Sequence, residues 1–384
     1  MRITLVIATL GAGGAERVMA RMADYWAEQG HGVALITLDG ADKDFYGVHP
    51  AVARIGLGLA HPSAGVRQAL TRNIGRIASL REAMRRSNPD VVISFVDKTN
   101  VLTLMATVGL SIPVVVSERI DPRYHGIERS WALLRRLFYR RAAALVVQTD
   151  GLRPWAQGLI DPNDVYVIPN PLSEKIRACD GSVRSARPKN TIVSMGRLAV
   201  QKGFDDLLRA FARCGNSRPD WSLVIIGEGP ERGRLEALAA ELGVRSRVTL
   251  AGRLADPFEV LQRADLFVLA SRYEGFPNAL LEAMACRLPV VSTDCPSGPR
   301  DIIRDGVDGV LVPPGNVTAL SEVMGRLMDA PQERERLRAR AVEVVERFGI
   351  EKIMKSWSEL LRQVVDGRRP HWPVPNTVRS FRRI

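Results

Sequence analysis

Apolar positions fall into short β-prone runs separated by longer stretches with helical spacing. In the first half, residues 3–8, 32–38, 90–95, 113–117, 143–148 and 165–168 are compact runs rich in Val, Ile and Leu. They read as buried strands, and a weaker one covers 52–57. Residues 15–29, 66–86 and 130–141 carry helical spacing. A further helix falls between 95 and 113, and a short one between 148 and 165. Strand and helix in strict alternation predict a parallel sheet covered on both faces. Pro169-Asn170-Pro171 breaks the pattern, and 173–190 has little apolar periodicity, so the chain divides there. The alternation then restarts, with strands at 191–195, 221–226, 247–250, 265–269, 289–292 and 309–312. Helices close the chain at 317–328, 332–347 and 351–365. The expected architecture is α/β: two similar open halves, with ligand at strand carboxyl ends in the cleft between them.

The chain has 384 residues, 46% of them hydrophobic and 25% charged, which is the balance of a globular protein with room for two cores. Cys179, Cys214, Cys286 and Cys295 are scattered without metal-ligand spacing, which suits a reducing cytoplasm. The apolar run at 101–116 is broken by Gly109 and Pro113 and falls short of the ~20 residues that span a bilayer. Net charge is +12, which calls for an anionic partner. Aromatic residues make up only 6%, and no nucleic-acid reader module is visible, so nucleic acid is set aside. Much of the charge is placed on helices. Arg67, Arg72, Arg76, Arg81, Arg85 and Arg86 decorate one. Arg135, Arg136, Arg140 and Arg141 share another with Trp131, Leu133, Leu134, Leu137 and Phe138. Basic amphipathic helices of this kind suit an anionic membrane surface. Arg368, Arg369, Arg379, Arg382 and Arg383 add charge in the tail.

Candidate chemistry centres on Ser271 to Glu282. Glu274 falls in the loop after a strand, and Glu282 about one turn into the following helix. A helix start presents free N–H groups to a phosphate, and carboxylates accept hydrogen bonds from hydroxyls. Phosphate together with polyol describes a nucleotide sugar. Arg197 and Lys202 leave the first strand of the second half, a fork and a point charge suited to a diphosphate. Gly227-Glu228-Gly229-Pro230 reads either as a turn or as a close approach to ligand, and Gly252-Arg253-Leu254 borders the nucleotide base. Gly11-Ala12-Gly13-Gly14-Ala15-Glu16-Arg17 opens the first helix. Its G-x-G-x-x-G spacing fails at Glu16, so it reads as a glycine loop facing the cleft rather than a dinucleotide site.

These motifs together resemble a family 4 retaining glycosyltransferase of the GT-B fold, over nearly the whole chain from Ile3 to about Val365. The carriers are Gly13 to Arg17, Ile168-Pro169-Asn170-Pro171, Gly196-Arg197-Leu198 with Lys202-Gly203, Gly227 to Pro230, and the E-x7-E pair Glu274 and Glu282. The resemblance implies two Rossmann-like domains. Residues 1–172 would bind acceptor, 173–189 link, and 190–348 bind donor; 349–366 would form a helix crossing back to the first domain, and 367–384 a basic tail. It implies that Arg197 and Lys202 bind the donor diphosphate, Glu274 the transferred sugar, and Glu282 the ribose. The backbone around Gly275, Phe276, Pro277, Asn278 and Ala279 would meet sugar and phosphates, with Gly13, Gly14, Gly227, Arg253 and Leu254 completing the donor site. Many relatives carry a His after an N-domain strand. Here Ser117-Glu118-Arg119 stands there, so Glu118 is expected at the reacting sugar, with His125 a few residues on. The resemblance implies a hexose or N-acetylhexosamine moved from a donor, UDP-linked on this reading, without a metal or other cofactor. The acceptor would be a polyprenyl-diphosphate-linked glycan at the inner membrane face. A GDP-mannose donor, a soluble acceptor, or a non-catalytic nucleotide-sugar binder are the alternatives.

Overall fold

The structure, a computed structural model, describes residues 1–59, 66–172, 190–254 and 256–367, with backbone only for 66–70. The first half runs β1 (Arg2–Ile7), α1 (Gly14–Glu28), β2 (Gly32–Thr37), β3 (Ala53–Gly56), α2 (Val66–Ser87), β4 (Val91–Phe95) and α3 (Asp97–Ala106). It continues β5 (Val114–Ser117), α4 (Arg129–Phe138), β6 (Ala144–Val147), α5 (Arg153–Gln157) and β7 (Val165–Val167). Its seven strands are parallel, in the order β3-β2-β1-β4-β5-β6-β7. Side chains alternate across a strand, and β1 feeds two cores. Ile3, Leu5 and Ile7 pack with Met19, Met22 and Trp26 of α1, while Val6 packs with Val92, Val101 and Leu104 on the other face.

The second half runs β8 (Thr191–Met195), α6 (Phe204–Gly215), β9 (Ser222–Ile226), α7 (Arg232–Glu241), β10 (Val248–Gly252), α8 (Phe258–Arg263), β11 (Leu266–Leu269) and α9 (Asn278–Ala285). Then come β12 (Val290–Thr293), α10 (Pro299–Ile302), β13 (Val310–Val312), α11 (Val317–Asp329), α12 (Pro331–Ala341), α13 (Val344–Phe348) and α14 (Ile350–Val365). The sheet is again parallel, ordered β10-β9-β8-β11-β12-β13. Strand order reverses beside β1 and beside β8, which opens a crevice at the strand carboxyl ends of each sheet.

The helix expected over 332–347 is two helices, α12 and α13. The break turns Val344 and Phe348 into the core, where the Phe348 ring meets Phe276 edge-on at 5.5 Å. α14 then leaves the second half. Its Ile353, Met354, Trp357 and Leu361 are buried in the core of the first, beside β1 and α1. The two places where the chain changes halves adjoin, since Leu172 N–H donates to Phe348 O at 2.8 Å. The expected linker at 173–189 and the tail beyond 367, with its arginines, lie outside the described residues.

Candidate active site

A cleft of about 960 Å³ separates the two sheets at their strand carboxyl ends. On its second-half side, β11 ends at Leu269 and α9 begins at Asn278, so Glu274 to Pro277 form the connecting loop. Glu274 is buried, and its Oε1 accepts from Ser271 Oγ at 2.6 Å and from Lys202 Nζ at 2.6 Å. Lys202 therefore touches Glu274 directly instead of facing it across a ligand. Backbone geometry sets this contact. Lys202 ends a short 3₁₀ turn and is followed by Gly203 at φ +61°, where a Cβ would lie 2.0 Å from Ala270 O. Only glycine lets the turn dock on the end of β11.

Arg197 follows Gly196 off the end of β8 and is exposed in the cleft wall. Gly227 and Gly229 serve its loop. A Cβ on Gly227 would lie 1.9 Å from Gly196 O, and one on Gly229 would lie 2.2 Å from Leu198 O. These glycines bring two backbones together, and Leu198 N–H donates to Glu228 O at 3.0 Å. The turn packs loop on loop, and its Gly227 also borders the cleft. Gly227, Arg253 and Leu254 line the cleft near Arg197.

The first-half wall carries Gly13 and Gly14 at the start of α1. Asn278 joins the two walls, its Nδ2 donating to Gly14 O at 3.2 Å. Arg17 and Arg21 stand, largely covered, on the side of α1 that faces the cleft. Their Nη2 atoms lie 2.8 and 3.6 Å from Glu282 Oε1. The ribose-binding role expected of Glu282 meets a covered side chain. It is buried at 1% exposure behind the two arginines and is absent from the cleft surface, which reaches only as far as Ala279 along α9. The Arg17 contact is off the hydrogen-bonding direction, leaving both Glu282 oxygens without a hydrogen-bond partner. Burial, with Arg17 beside it, draws the Arg21 guanidinium below its usual range.

Glu118, expected at the reacting sugar, is likewise placed off the cleft surface. Its carboxylate is turned away from the cleft and sits under α4, accepting from Tyr139 Oη at 2.6 Å with Arg135 at 3.6 Å. Burial pushes it up to about 7 against the pull of Arg135 and Tyr139. Arg119, its neighbour in sequence, lines the cleft. The signal was present in the strand period. Carried two residues past the end of β5, the alternation puts Arg119 on the side of Val115 and Ser117, and Glu118 on the side of Val116. Arg119, Gln148, Asn170 and Asn278 form a polar cluster at the back of the cleft, with Asn170 Oδ1 accepting from Arg119 Nη1 at 2.8 Å and from Gln148 Nε2 at 2.6 Å. His125 lies 3.7 Å from Asp97, outside the cleft lining.

Residues 13–171 match the glycosyl transferase 4-like domain, and residues 180–344 match the glycosyl transferases group 1 family. The chain is a family 4-like glycosyltransferase of the GT-B fold. This glycosyltransferase is 28% identical over 365 residues to the GalNAc-alpha-(1->4)-GalNAc-alpha-(1->3)-diNAcBac-PP-undecaprenol alpha-1,4-N-acetyl-D-galactosaminyltransferase of Campylobacter jejuni, covering 95% of this chain and 99% of that one. It is 28% identical over 363 residues to the lipopolysaccharide core biosynthesis glycosyltransferase LpsE of Rhizobium meliloti, covering 91% and 96%. Among solved structures, the sucrose-phosphate synthase of Thermosynechococcus elongatus superposes with a TM-score of 0.80 at 20% identity, over 95% and 99% of the two chains. Anabaena HepE in complex with UDP and glucose superposes with a TM-score of 0.74 at 20% identity, over 94% and 99%. At these identities the structural likeness bears on fold.

Proposed function

We propose that this glycosyltransferase moves a hexose or N-acetylhexosamine from a UDP-linked donor to a lipid-linked glycan, with retention of configuration, in bacterial polysaccharide or glycoconjugate assembly. The observation that carries the donor part is the buried Glu274–Lys202 pair beside Arg197 at the start of α9. A carboxylate already neutralised by an ammonium is a poor general base and a good acceptor for sugar hydroxyls. Lys202 keeps N–H bonds for a phosphate oxygen, and Arg197 brings a second cation to the same wall. The diphosphate gains charge as the glycosidic bond breaks, and these fixed cations stabilise it most at that point. Retention needs no protein nucleophile when a donor phosphate oxygen takes the acceptor proton on the same face as the departing group. Among the described residues no group of three His, Cys, Asp or Glu side chains is placed to hold a metal, and we assign the charge-stabilising role to Arg197 and Lys202. Glu282 is kept for the ribose hydroxyls, on the reading that donor entry displaces Arg17 from it.

The relatives support the acceptor class, since the Campylobacter enzyme is named for an undecaprenol-diphosphate-linked glycan. No helix among the described residues is long and apolar enough to cross a membrane. We assign contact with the inner membrane face to α4, where Leu133 and Leu137 are exposed between Arg129, Arg136 and Arg140. Calorimetric titration with UDP-, GDP-, ADP- and dTDP-sugars tests the donor reading. Binding confined to UDP-sugars, weakened about a hundredfold in Lys202→Ala, is expected. Unchanged affinity in that variant removes the site, and binding of a GDP-sugar alone moves the donor class. Turnover in excess EDTA is expected to equal that in its absence.

A further inference from the structure

Arg119 is a cation of the cleft wall that the donor reading leaves without a task. It leaves β5 on the side of Phe95, and its guanidinium carbon lies 3.3 Å from the centre of that ring and 5.8 Å from the ring of Trp357 on α14. Stacking fixes the plane of the fork. Nη1 donates to Asn170 Oδ1 at 2.8 Å, while Nε and Nη2 are buried with no hydrogen-bond partner. Burial draws the guanidinium below its usual range, and among the described residues no carboxylate opposes it. Three other cations of the cleft differ in this respect. Lys202 has Glu274, and Arg17 and Arg21 share Glu282. A partly buried cation with no counter-charge is costly to hold, and an anion arriving nearby lowers that cost.

A relay leads from Arg119 to the place where such an anion would sit. Asn170 spends its oxygen on Arg119 and Gln148, which leaves its amide to donate to Asn278 Oδ1 at 2.7 Å and, at 3.5 Å, to Phe276 O. Asn278 is the first residue of α9, and its own amide reaches Gly14 O at 3.2 Å. Gly275 is pressed against the same residue, for a Cβ there would lie 2.4 Å from Arg119 O. The cation is thus built into the contact between the first-half wall and the loop that opens α9.

We propose that Arg119 is the first domain's fixed positive charge for the donor diphosphate, a positioning residue acting through Asn170 and Asn278, whose counter-charge arrives with the ligand. This rests on the donor reading above. It makes the diphosphate answer to both domains, Arg197 and Lys202 from one and Arg119 from the other. Closure of the cleft on the donor is then favoured by charge as well as by contact.

The test uses the full chain and compares UDP with uridine, which lacks the diphosphate. Both are titrated into the wild type, Arg119→Met and Arg119→Lys, by calorimetry for UDP and ligand-observed NMR for uridine, with melting temperatures measured alongside. Arg119→Met is expected to weaken UDP at least about tenfold while uridine stays within about twofold, and Arg119→Lys to keep most of the UDP affinity. The Met variant should melt no lower than wild type, since it removes an unbalanced buried charge. Parallel loss of UDP and uridine, or unchanged UDP binding, overturns the proposal. Should the Met variant fail to fold, Arg119→Gln read by the same UDP-to-uridine ratio decides. A wild type that binds none of UDP, GDP and ADP refutes the donor reading and this inference with it. A wild type that binds UDP beside variants with an unchanged ratio refutes this inference alone.

Discussion

Glu118 and Arg119 are neighbours with opposite fates, and the pleat of β5 decides between them. Glu118 lies against Tyr139 and Arg135 in the core under α4, where its protonated form is favoured up to about 7 against an ordinary value of 4.5. The folded chain therefore keeps a proton that the unfolded chain releases. The stability this group contributes is complete below pH 4.5, falls as pH rises, and is lost above 7. Glu118→Gln, which is always neutral, should gain on wild type by about 2 kcal/mol between pH 5 and pH 8. Denaturant melts at the two pH values measure it, and a difference that does not widen toward pH 8 shows that the carboxyl is charged in the fold. At this scale the sequence was only half legible. The two-residue alternation was there to be extended from Val115 to Arg119, but the loop motif drew attention to the carboxylate. Nothing in one dimension marks that Glu282 would be covered by Arg17 and Arg21, because that contact joins residues from different halves.

Elements were more legible than residues. Strands buried on both faces are continuous apolar runs, so β1, β4, β5, β6, β8 and β11 stand out, and the E-x7-E stretch falls where a strand gives way to a helix. The helix expected over 332–347 is broken in the structure, since the pattern of charge along it conceals the turn that sends Phe348 to Phe276. α14 is the element with the widest reach. Its Trp357 has 0% exposure and lies 6.2 Å from Phe95 in the core of the other domain. Trp357→Ala should destabilise the protein by about 3–5 kcal/mol, and it also removes one of the rings flanking Arg119. Urea unfolding is the measurement. A loss below about 1 kcal/mol indicates that α14 is docked loosely and contributes little to the first domain.

For the whole molecule, the net charge of +12 pointed to an anionic partner, and the structure redistributes that charge. On α2 part of it is already engaged. Arg76 donates to Leu59 O, Arg81 to Ala106 O and Val108 O, and Arg86 pairs with Glu82, while the Arg67 side chain lies outside the described residues. On α4 and the turn after it only Arg135 turns inward, and Arg129, Arg136, Arg140 and Arg141 stay exposed beside Leu133 and Leu137. The membrane reading thus narrows to α4. In flotation assays the protein should follow vesicles containing about 30% anionic lipid and leave neutral ones behind, and Leu133→Asp with Leu137→Asp should abolish this. Equal recovery with both vesicle types rules out attraction by charge.

The bond from Leu172 to Phe348 sets the mechanics of the pair of domains. The peptide passes between halves twice, and both passages lie side by side on one line, like two leaves of a door on one pin. Sliding one half past the other stretches both passages and breaks that bond. Swinging about the line does neither. An opening rotation about that line would part Arg17 from Glu282 and Asn278 from Gly14.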